Sequence, residues 1–120
     1  TTWSGKVALM YPSDYGYATS GGSTTNRESC LAKELSNWSS SSYSDCKNND
    51  WLYDSSAVTW TLTSNSSISN YVFSVTGSGY LSISNARYGY GVRPSIYLKS
   101  NIGISGGTGV SSDPYKLSIQ

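Results

Sequence analysis

Residues 71–84 have the sequence YVFSVTGSGYLSIS, and this stretch decides the fold class. Its first half is rich in aromatic and β-branched residues, and its second half alternates apolar and polar residues, as strands do. Between them, TGSG at 76–79 has the small residues of a turn. The stretch therefore predicts a β-hairpin in which Leu81 and Ile83 share one face and the intervening side chains the other.

Most of the remaining pattern is also that of short strands. They are predicted at 6–10, 58–62, 92–98 and 115–119. Pro94 indicates that the third of these is an edge strand or contains a bulge, because proline has no N–H to donate to a neighbour. Loops are expected at 11–22 and at the Gly-rich 101–112, and the C-terminal strand is expected to pair with an early one.

One helix is predicted before these strands. Thr25 as N-cap and Glu28 at the third helical position form a capping box. Apolar residues then recur at helical spacing at Cys30, Leu31, Leu35 and Trp38. The serines at 39–42 end the helix, because short hydroxyl side chains compete for its backbone hydrogen bonds.

Composition predicts an extracellular location for this chain. Only 12% of the 120 residues are charged, about half the usual share. Serine fills about a fifth of the chain, and there are 11 tyrosines against one phenylalanine. Such a surface is common in secreted proteins and in binding paratopes. The length predicts a single domain over residues 1–120.

The two cysteines, Cys30 and Cys46, are expected to form a disulfide. Closing a loop of this length contributes about 3 kcal/mol. The alternative is a pair of free buried thiols. The CxxC spacing of redox and many zinc sites is absent.

Three segments carry a resemblance to a known family. They are VALMYPSDYGYA at 7–18, Cys30 together with CKNNDWL at 46–52, and GVRPSIYLKS at 91–100 followed by GGTGVSSDPY at 106–115. Together they resemble the C-terminal extracellular domain of gut Firmicutes surface proteins, many of which have a prepilin-type N-terminal segment. They are also similar to bacterial domains related to formylglycine-generating enzyme. The resemblance covers nearly the whole chain and implies an α+β, C-type-lectin-like fold of short antiparallel strands with one or two helices.

The same resemblance extends to the variable proteins of diversity-generating retroelements, whose variable sites are rich in Asn, Ser and Tyr. Residues 64–71 and 82–90 have this composition and lie just before the GVRP element. The predicted ligand-binding residues are Asn65, Ser67, Asn70, Tyr71, Ser82, Ser84, Asn85, Arg87, Tyr88 and Tyr90. The alternative is that these are ordinary polar loops in a Ser-rich protein.

Catalytic chemistry is not predicted. The chain has no histidine, which removes the commonest general base, and its seven carboxylates show no paired spacing. The related oxidases need a reactive cysteine pair late in the domain, whereas both cysteines here lie in the first half. Five residues have side-chain oxygens of the kind that bind Ca²⁺, namely Asp45, Asn48, Asn49, Asp50 and Asp54. Their spacing does not match the EF-hand loop, so we interpret them as residues that form turns. No metal and no cofactor are expected.

Two functions remain open. The first is a non-enzymatic binding module on the cell surface or on a pilus, with a protein or glycan ligand. The second is a structural, pilin-like subunit that self-assembles into a filament. A net charge of +1 without a basic stripe argues against nucleic acid. Membrane attachment is expected only through an N-terminal anchor outside residues 1–120.

Structural roles are expected for several other aromatic residues and for Arg93. Tyr15 and Tyr17 are expected to be structural, and the four tryptophans to lie mainly in the core. Arg93 is expected to pair with a buried carboxylate or with carbonyl groups.

Overall fold

The fold is α+β, with two short helices and small antiparallel sheets. The computed structural model describes residues 5–18, 24–35, 46–47, 52–109 and 112–120, and only the backbone of 24–26. Its elements are β1 (Ala8–Leu9), α1 (Pro12–Tyr17), α2 (Thr24–Leu31), β2 (Thr59–Ser64), β3 (Tyr71–Val75), β4 (Leu81–Asn85), β5 (Pro94–Ser95), β6 (Ile102–Gly106) and β7 (Lys116–Ile119).

The three-stranded sheet β2–β3–β4 contains the predicted hairpin, which is confirmed. Val75 lies opposite Leu81, and the turn between them closes when the Thr76 N–H donates to the Tyr80 carbonyl at 2.9 Å. Gly79 in this turn has φ 81°, a left-handed conformation that glycine adopts without a steric cost. Adjacent strands with a turn of the right chemistry therefore fix this register locally.

The core lies on one face of this sheet, under the helices and the disulfide. Tyr15 is fully buried and donates its hydroxyl to the Gly79 carbonyl at 2.5 Å, so helix α1 is tied to the hairpin turn. The disulfide between Cys30 and Cys46 is confirmed, with both residues fully buried. The buried apolar residues are Met10, Tyr15, Ala18, Cys30, Cys46, Leu52, Phe73, Val75 and Leu81.

Helix α1 was not predicted, because 11–22 has the composition of a loop. Its start does contain helix signals. Pro12 occupies the first turn, and the Asp14 carboxylate accepts a hydrogen bond from the Tyr11 N–H at 2.7 Å. The expected structural role of Tyr15 is confirmed, whereas Tyr17 is 58% exposed and lies under the Arg27 guanidinium.

Helix α2 exists but differs from the prediction at both ends. It begins at Thr24, so the predicted N-cap at Thr25 is wrong and lies inside the helix. It ends at Leu31, so Leu35, which was predicted to lie within the helix, lies beyond its end. The helix ends there because the Lys33 N–H donates to the Cys30 carbonyl at three-residue spacing. The predicted end of the helix at the serines of 39–42 falls outside the described residues.

The C-terminal prediction is wrong in its pairing. Residues 102–106, expected to be loop, form strand β6, and β7 pairs with β6 and not with an early strand. The cause is local. Gly107 and Gly109 lie in the connection that follows β6 and have φ of 84° and 82°. Across this connection the Thr108 N–H donates to the Asp113 carboxylate at 3.0 Å.

The strand predicted over 92–98 is shorter than expected. Only β5 pairs, antiparallel to the two-residue β1, which matches the edge position indicated by Pro94. Strand β1 continues toward the main sheet, where the Met10 carbonyl accepts a hydrogen bond from the Leu62 N–H at 2.8 Å. Because β1 is so short, no strand within the described residues pairs with 96–98.

Candidate functional site

The two Ser/Asn/Tyr segments meet at one end of the sheet. Residues 65–70 connect β2 to β3, and 86–90 follow β4. Tyr71 and Asn85 are opposite each other in the last pair of the β3–β4 ladder. One residue further, the Ala86 N–H donates to the Asn70 carbonyl at 2.9 Å, which joins the segments directly. The fold therefore makes one continuous surface from two stretches that are separated in sequence.

After Asn85 the chain crosses the sheet. Gly91 forms a parallel bridge with Thr59 on the far side of β2, and the Trp60 N–H donates to the Gly91 carbonyl at 2.9 Å. Since β3 lies between β4 and β2, residues 86–90 must pass over or around β3. We refer to 86–90 as the crossover segment.

The crossover segment contacts the face of the sheet that points away from the core. Phe73 and Val75 point into the core, so Ser74, between them, points to the opposite face. Ser74 is nevertheless fully buried. Trp60 lies opposite Ser74 in the ladder, shares its face, and is in contact with the crossover segment.

Three aromatic rings form a row on this outer face. The centroids of Trp60 and Tyr90 are 4.7 Å apart with planes inclined by 37°. Those of Tyr90 and Tyr88 are 5.8 Å apart and stacked at 30°. The Arg87 guanidinium lies 5.4 Å from the Tyr88 ring centre. We call Trp60, Tyr90 and Tyr88 the aromatic row; its outer end is Tyr88, which is 47% exposed.

Trp60 is the residue of this site that the sequence did not identify. It was expected in the core, but it is only partly buried, and the structure places it in the aromatic row. Its neighbours Thr59 and Thr61 are buried, and Thr61 donates its hydroxyl to the Phe73 carbonyl at 2.8 Å. The sequence contained no signal for this orientation, because the apolar residues Val58, Trp60 and Leu62 alternate with threonines and that pattern directs Trp60 inward. Trp3, Trp38 and Trp51 lie outside the described residues.

Two of the predicted ligand-binding residues shape the turns. The Asn65 side-chain oxygen accepts hydrogen bonds from the backbone N–H groups of Ser67 at 2.9 Å and Ile68 at 2.8 Å. The Asn85 side-chain oxygen accepts one from the Arg87 N–H at 3.1 Å. These are Asx turns, in which asparagine replaces a backbone acceptor. Both asparagines therefore position the site, and their side-chain oxygens are already engaged.

Ser82 and Ser84 lie within strand β4 and not in a loop. Their side chains share the face of Ser74, and the Ser84 hydroxyl is 3.1 Å from that of Ser74. Tyr71 lies on the other face with Phe73, apart from the aromatic row. These three predicted residues are partly buried and lie beneath or beside the site.

The remaining predicted residues are available at the surface. Ser67 and Asn70 are exposed in the β2–β3 turn, and Arg87 and Tyr88 are exposed in the crossover segment. Tyr90 is partly buried between its two aromatic neighbours. A surface of this kind offers ring faces for stacking, a cation and several hydroxyl and amide groups.

Arg93 does not meet the buried partner that was expected. Its guanidinium lies 3.9 Å from the Asp54 carboxylate, and the two side chains are 37% and 40% exposed. The pKa of Asp54 is lowered, first by the hydrogen bond from the Ser56 hydroxyl, then by the Ser56 N–H, and only last by Arg93. The pair is thus an exposed, loose ion pair, and such pairs contribute little to stability.

Two features are absent from the described residues. Among them, no group of three or more His, Cys, Asp or Glu side chains is arranged to hold a metal ion. The oxygen ligands considered at 45 and 48–50 lie outside that part of the chain. Within the same part, neither helix has the length and apolar character needed to cross a membrane.

Comparison of the chain with family models, curated proteins and solved structures finds no match. A function for this domain is therefore inferred from the geometry of the sheet and its crossover segment.

Proposed function

We propose that this domain is a non-enzymatic recognition module, displayed outside the cell, that binds a protein or glycan ligand at the aromatic row. The observation that carries the proposal is the crossover segment, which places Tyr90 against Trp60 and stacks Tyr88 on Tyr90, beside the exposed β2–β3 turn. Aromatic rings with adjacent hydroxyls and amides suit ligands that have both apolar faces and hydrogen-bonding groups.

Rigidity supports this proposal. The crossover segment is anchored at Asn85 by an Asx turn and at Gly91 by two backbone hydrogen bonds, one with Trp60 in β2 and one with Val58 just before it. Between these anchors the three rings support one another. Tyrosine has few rotatable bonds, so a surface that is already ordered loses little entropy on binding.

The extracellular assignment rests on the disulfide. A fully buried Cys30–Cys46 pair in a small domain is typical of proteins that fold in an oxidising compartment. The α+β architecture with antiparallel strands is also compatible with the proposed C-type-lectin-like fold.

The proposed function is tested with a glycan array and a panel of surface proteins, each probed with the purified domain. Tyr88→Ala removes the exposed end of the row, and Tyr115→Ala is the matched control because Tyr115 is a 56% exposed tyrosine on a different hairpin. We expect Tyr88→Ala to lower affinity about tenfold or more. Absence of any ligand on both panels, or equal loss in both variants, would contradict the proposal.

We also propose that the site belongs to a hypervariable protein of a diversity-generating retroelement. The turn residues Asn65 and Asn85 should then stay constant, since the backbone depends on them, while Ser67, Asn70 and Tyr88 vary. Sequencing sister genes and their neighbourhood tests this. Variation spread evenly along the gene, without a reverse transcriptase and template repeat nearby, would refute it.

A second candidate function is a pilin-like structural subunit. The observation in its favour is the apolar face of β6 and β7, where Ile104, Leu117 and Ile119 are 61%, 52% and 78% exposed. Exposed apolar faces of this kind mark association surfaces. Sedimentation velocity distinguishes the two candidates: a subunit should self-associate as concentration rises, and Leu117→Ser should abolish the association.

A further inference from the structure

Arg87 is the only charged side chain in a long part of the sequence. Residues 55–92 contain no other Asp, Glu, Lys or Arg, although they include all three strands of the main sheet and the crossover segment. Arg87 is exposed and lies at the outer end of the aromatic row. Both segments that form the candidate site are therefore without acidic residues, and the site has a positive charge of its own.

This charge is not neutralised by its described neighbours. Within the described part of the chain, no carboxylate is close enough to Arg87 to form an ion pair, and Asp54 faces Arg93 instead. A further cation, Lys47, lies over the Tyr80 ring, next to the opposite end of β4. The row therefore has one accessible charge at its outer end.

The Arg87 side chain is positioned by two contacts. Its backbone N–H donates to the Asn85 side-chain oxygen at 3.1 Å, and its guanidinium lies over the Tyr88 ring. A guanidinium that lies on an aromatic ring can still direct the N–H groups of its plane toward an acceptor. No acceptor among the described residues engages those N–H groups. They form the fork that pairs with a carboxylate through two parallel hydrogen bonds.

The groups around Arg87 suit a sugar. Tyr88 is 47% exposed and offers a ring against which the apolar face of a sugar can pack. The β2–β3 turn adjoins the crossover segment through the hydrogen bond from the Ala86 N–H to the Asn70 carbonyl. Its exposed hydroxyl and amide side chains are those of Ser66, Ser67, Ser69 and Asn70. Peptide ligands generally need pockets for their apolar side chains, whereas this surface presents hydroxyls, an amide and a ring.

We propose that the ligand of the aromatic row is an acidic saccharide, in which a carboxylate lies next to the sugar ring that packs on Tyr88. The assignment rests on the function proposed for this row. Arg87 binds the carboxylate, Tyr88 the apolar face of the sugar, and the β2–β3 turn the neighbouring hydroxyl groups. A single cation in residues 55–92 matches a single carboxylate, and a polyanion would find no second cation there.

The test is a glycan array on which each acidic saccharide is printed beside its neutral counterpart, such as sialyllactose beside lactose and oligogalacturonate beside its methyl ester. We expect the wild-type domain to bind at least one acidic saccharide, and its neutral counterpart about tenfold more weakly or worse, because the charge-assisted hydrogen bonds are lost. Arg87→Gln should bind both members of that pair equally. Arg93→Gln is the matched control, because Arg93 is a partly exposed arginine that faces Asp54 outside the row, and it should keep the preference.

Tyr88→Ala separates this inference from the proposed function. It should weaken binding of both the acidic and the neutral saccharide, since the ring contacts the sugar whatever its charge. Tyr88-dependent binding of a protein, of an acidic peptide, or of acidic and neutral saccharides alike would leave the proposed function standing and overturn the acidic saccharide. Absence of any Tyr88-dependent ligand would overturn both.

A second measurement uses the wild-type protein alone. The Arg87 Nε–H resonance is followed by NMR while the acidic saccharide from the array, or its neutral counterpart, is added. We expect a saturable shift with the acidic saccharide and a much smaller one with the neutral saccharide. An Arg87 resonance that stays unchanged while the acidic saccharide binds would overturn the proposal.

Discussion

The sheet β2–β3–β4 and the hairpin β6–β7 are both antiparallel, but they differ in what covers them. The sheet has the core on one face and the crossover segment against Trp60 on the other, and Ser74 on that outer face is fully buried. The hairpin packs mainly against itself and exposes Ile104, Leu117 and Ile119. An isolated two-stranded hairpin is marginal in water.

This difference indicates that the global stability of the domain depends on the three-stranded sheet and little on the β6–β7 hairpin. The helices, the disulfide and the aromatic row all attach to the three-stranded sheet. We infer that the sheet holds the candidate site in place, and that β6–β7 can open without disturbing it.

The comparison is tested most severely by shortening one leucine in each region. Leu81 is fully buried in β4, so Leu81→Ala should lower the free energy of unfolding by about 2–5 kcal/mol. Leu117 is 52% exposed in β7, and Leu117→Ala should change it by no more than about 0.5 kcal/mol. Urea denaturation measures both, and equal losses would contradict the comparison.

Removing the disulfide should have the next largest effect. The Cys30→Ser, Cys46→Ser double variant should lose about 3 kcal/mol, because a closed loop with a sequence separation of 16 no longer restricts the unfolded chain. Thermal unfolding with and without reductant provides the measurement. The wild-type protein in reductant should approach the variant, and a variant as stable as the oxidised protein would show that the bridge is dispensable.

Two glycines with left-handed φ provide a matched pair. Gly79→Ala, at φ 81° in the β3–β4 turn, should lower global stability by about 1–2 kcal/mol. Gly107→Ala has the same strain at φ 84°, and its new methyl group would also meet the Pro114 carbonyl. It should nevertheless act mainly on β6–β7, seen as faster exchange of those amides with little change in global unfolding. A large global loss from Gly107→Ala would tie the hairpin to the core.

The smallest expected effect concerns pH. The pKa of Asp54 is lowered in the folded protein, so its contribution to stability is present above its unfolded pKa and lost as pH falls through the folded value. Asp54→Asn should therefore slightly flatten the decline in stability below about pH 4. Denaturation at a series of acidic pH values measures this, with Asp113→Asn as a carboxylate control in the hairpin region. A steeper decline in Asp54→Asn would show the sign to be wrong.

How much the sequence could predict depended on how locally each feature is determined. The hairpin of 71–84 was predictable because its strands are adjacent and its turn residues fit, and the pairing of Cys30 with Cys46 followed from having only two cysteines. Helix α1 was missed because Gly16 and neighbouring tyrosines have weak helix propensity, and burial of Tyr15 stabilises it instead.

The candidate site was predictable only as two polar segments. The aromatic row needs, in addition, the long-range bridge between Thr59 and Gly91, which no local pattern contains. The same bridge brings Tyr90 onto Trp60 and turns an expected core tryptophan into part of the surface. Distinguishing turn-forming Asn65 and Asn85 from exposed Asn70 required the hydrogen bonds themselves.

The central claim is that β2–β3–β4 is a rigid platform for the aromatic row, whereas β6–β7 is peripheral. Native-state hydrogen exchange, measured amide by amide at increasing low concentrations of denaturant, tests it most directly. We predict that paired amides in β3 and β4 exchange only through global unfolding, and that those in β6 and β7 exchange through a local opening of much lower free energy. Exchange of β3 and β6 amides at one common free energy of opening would contradict the claim.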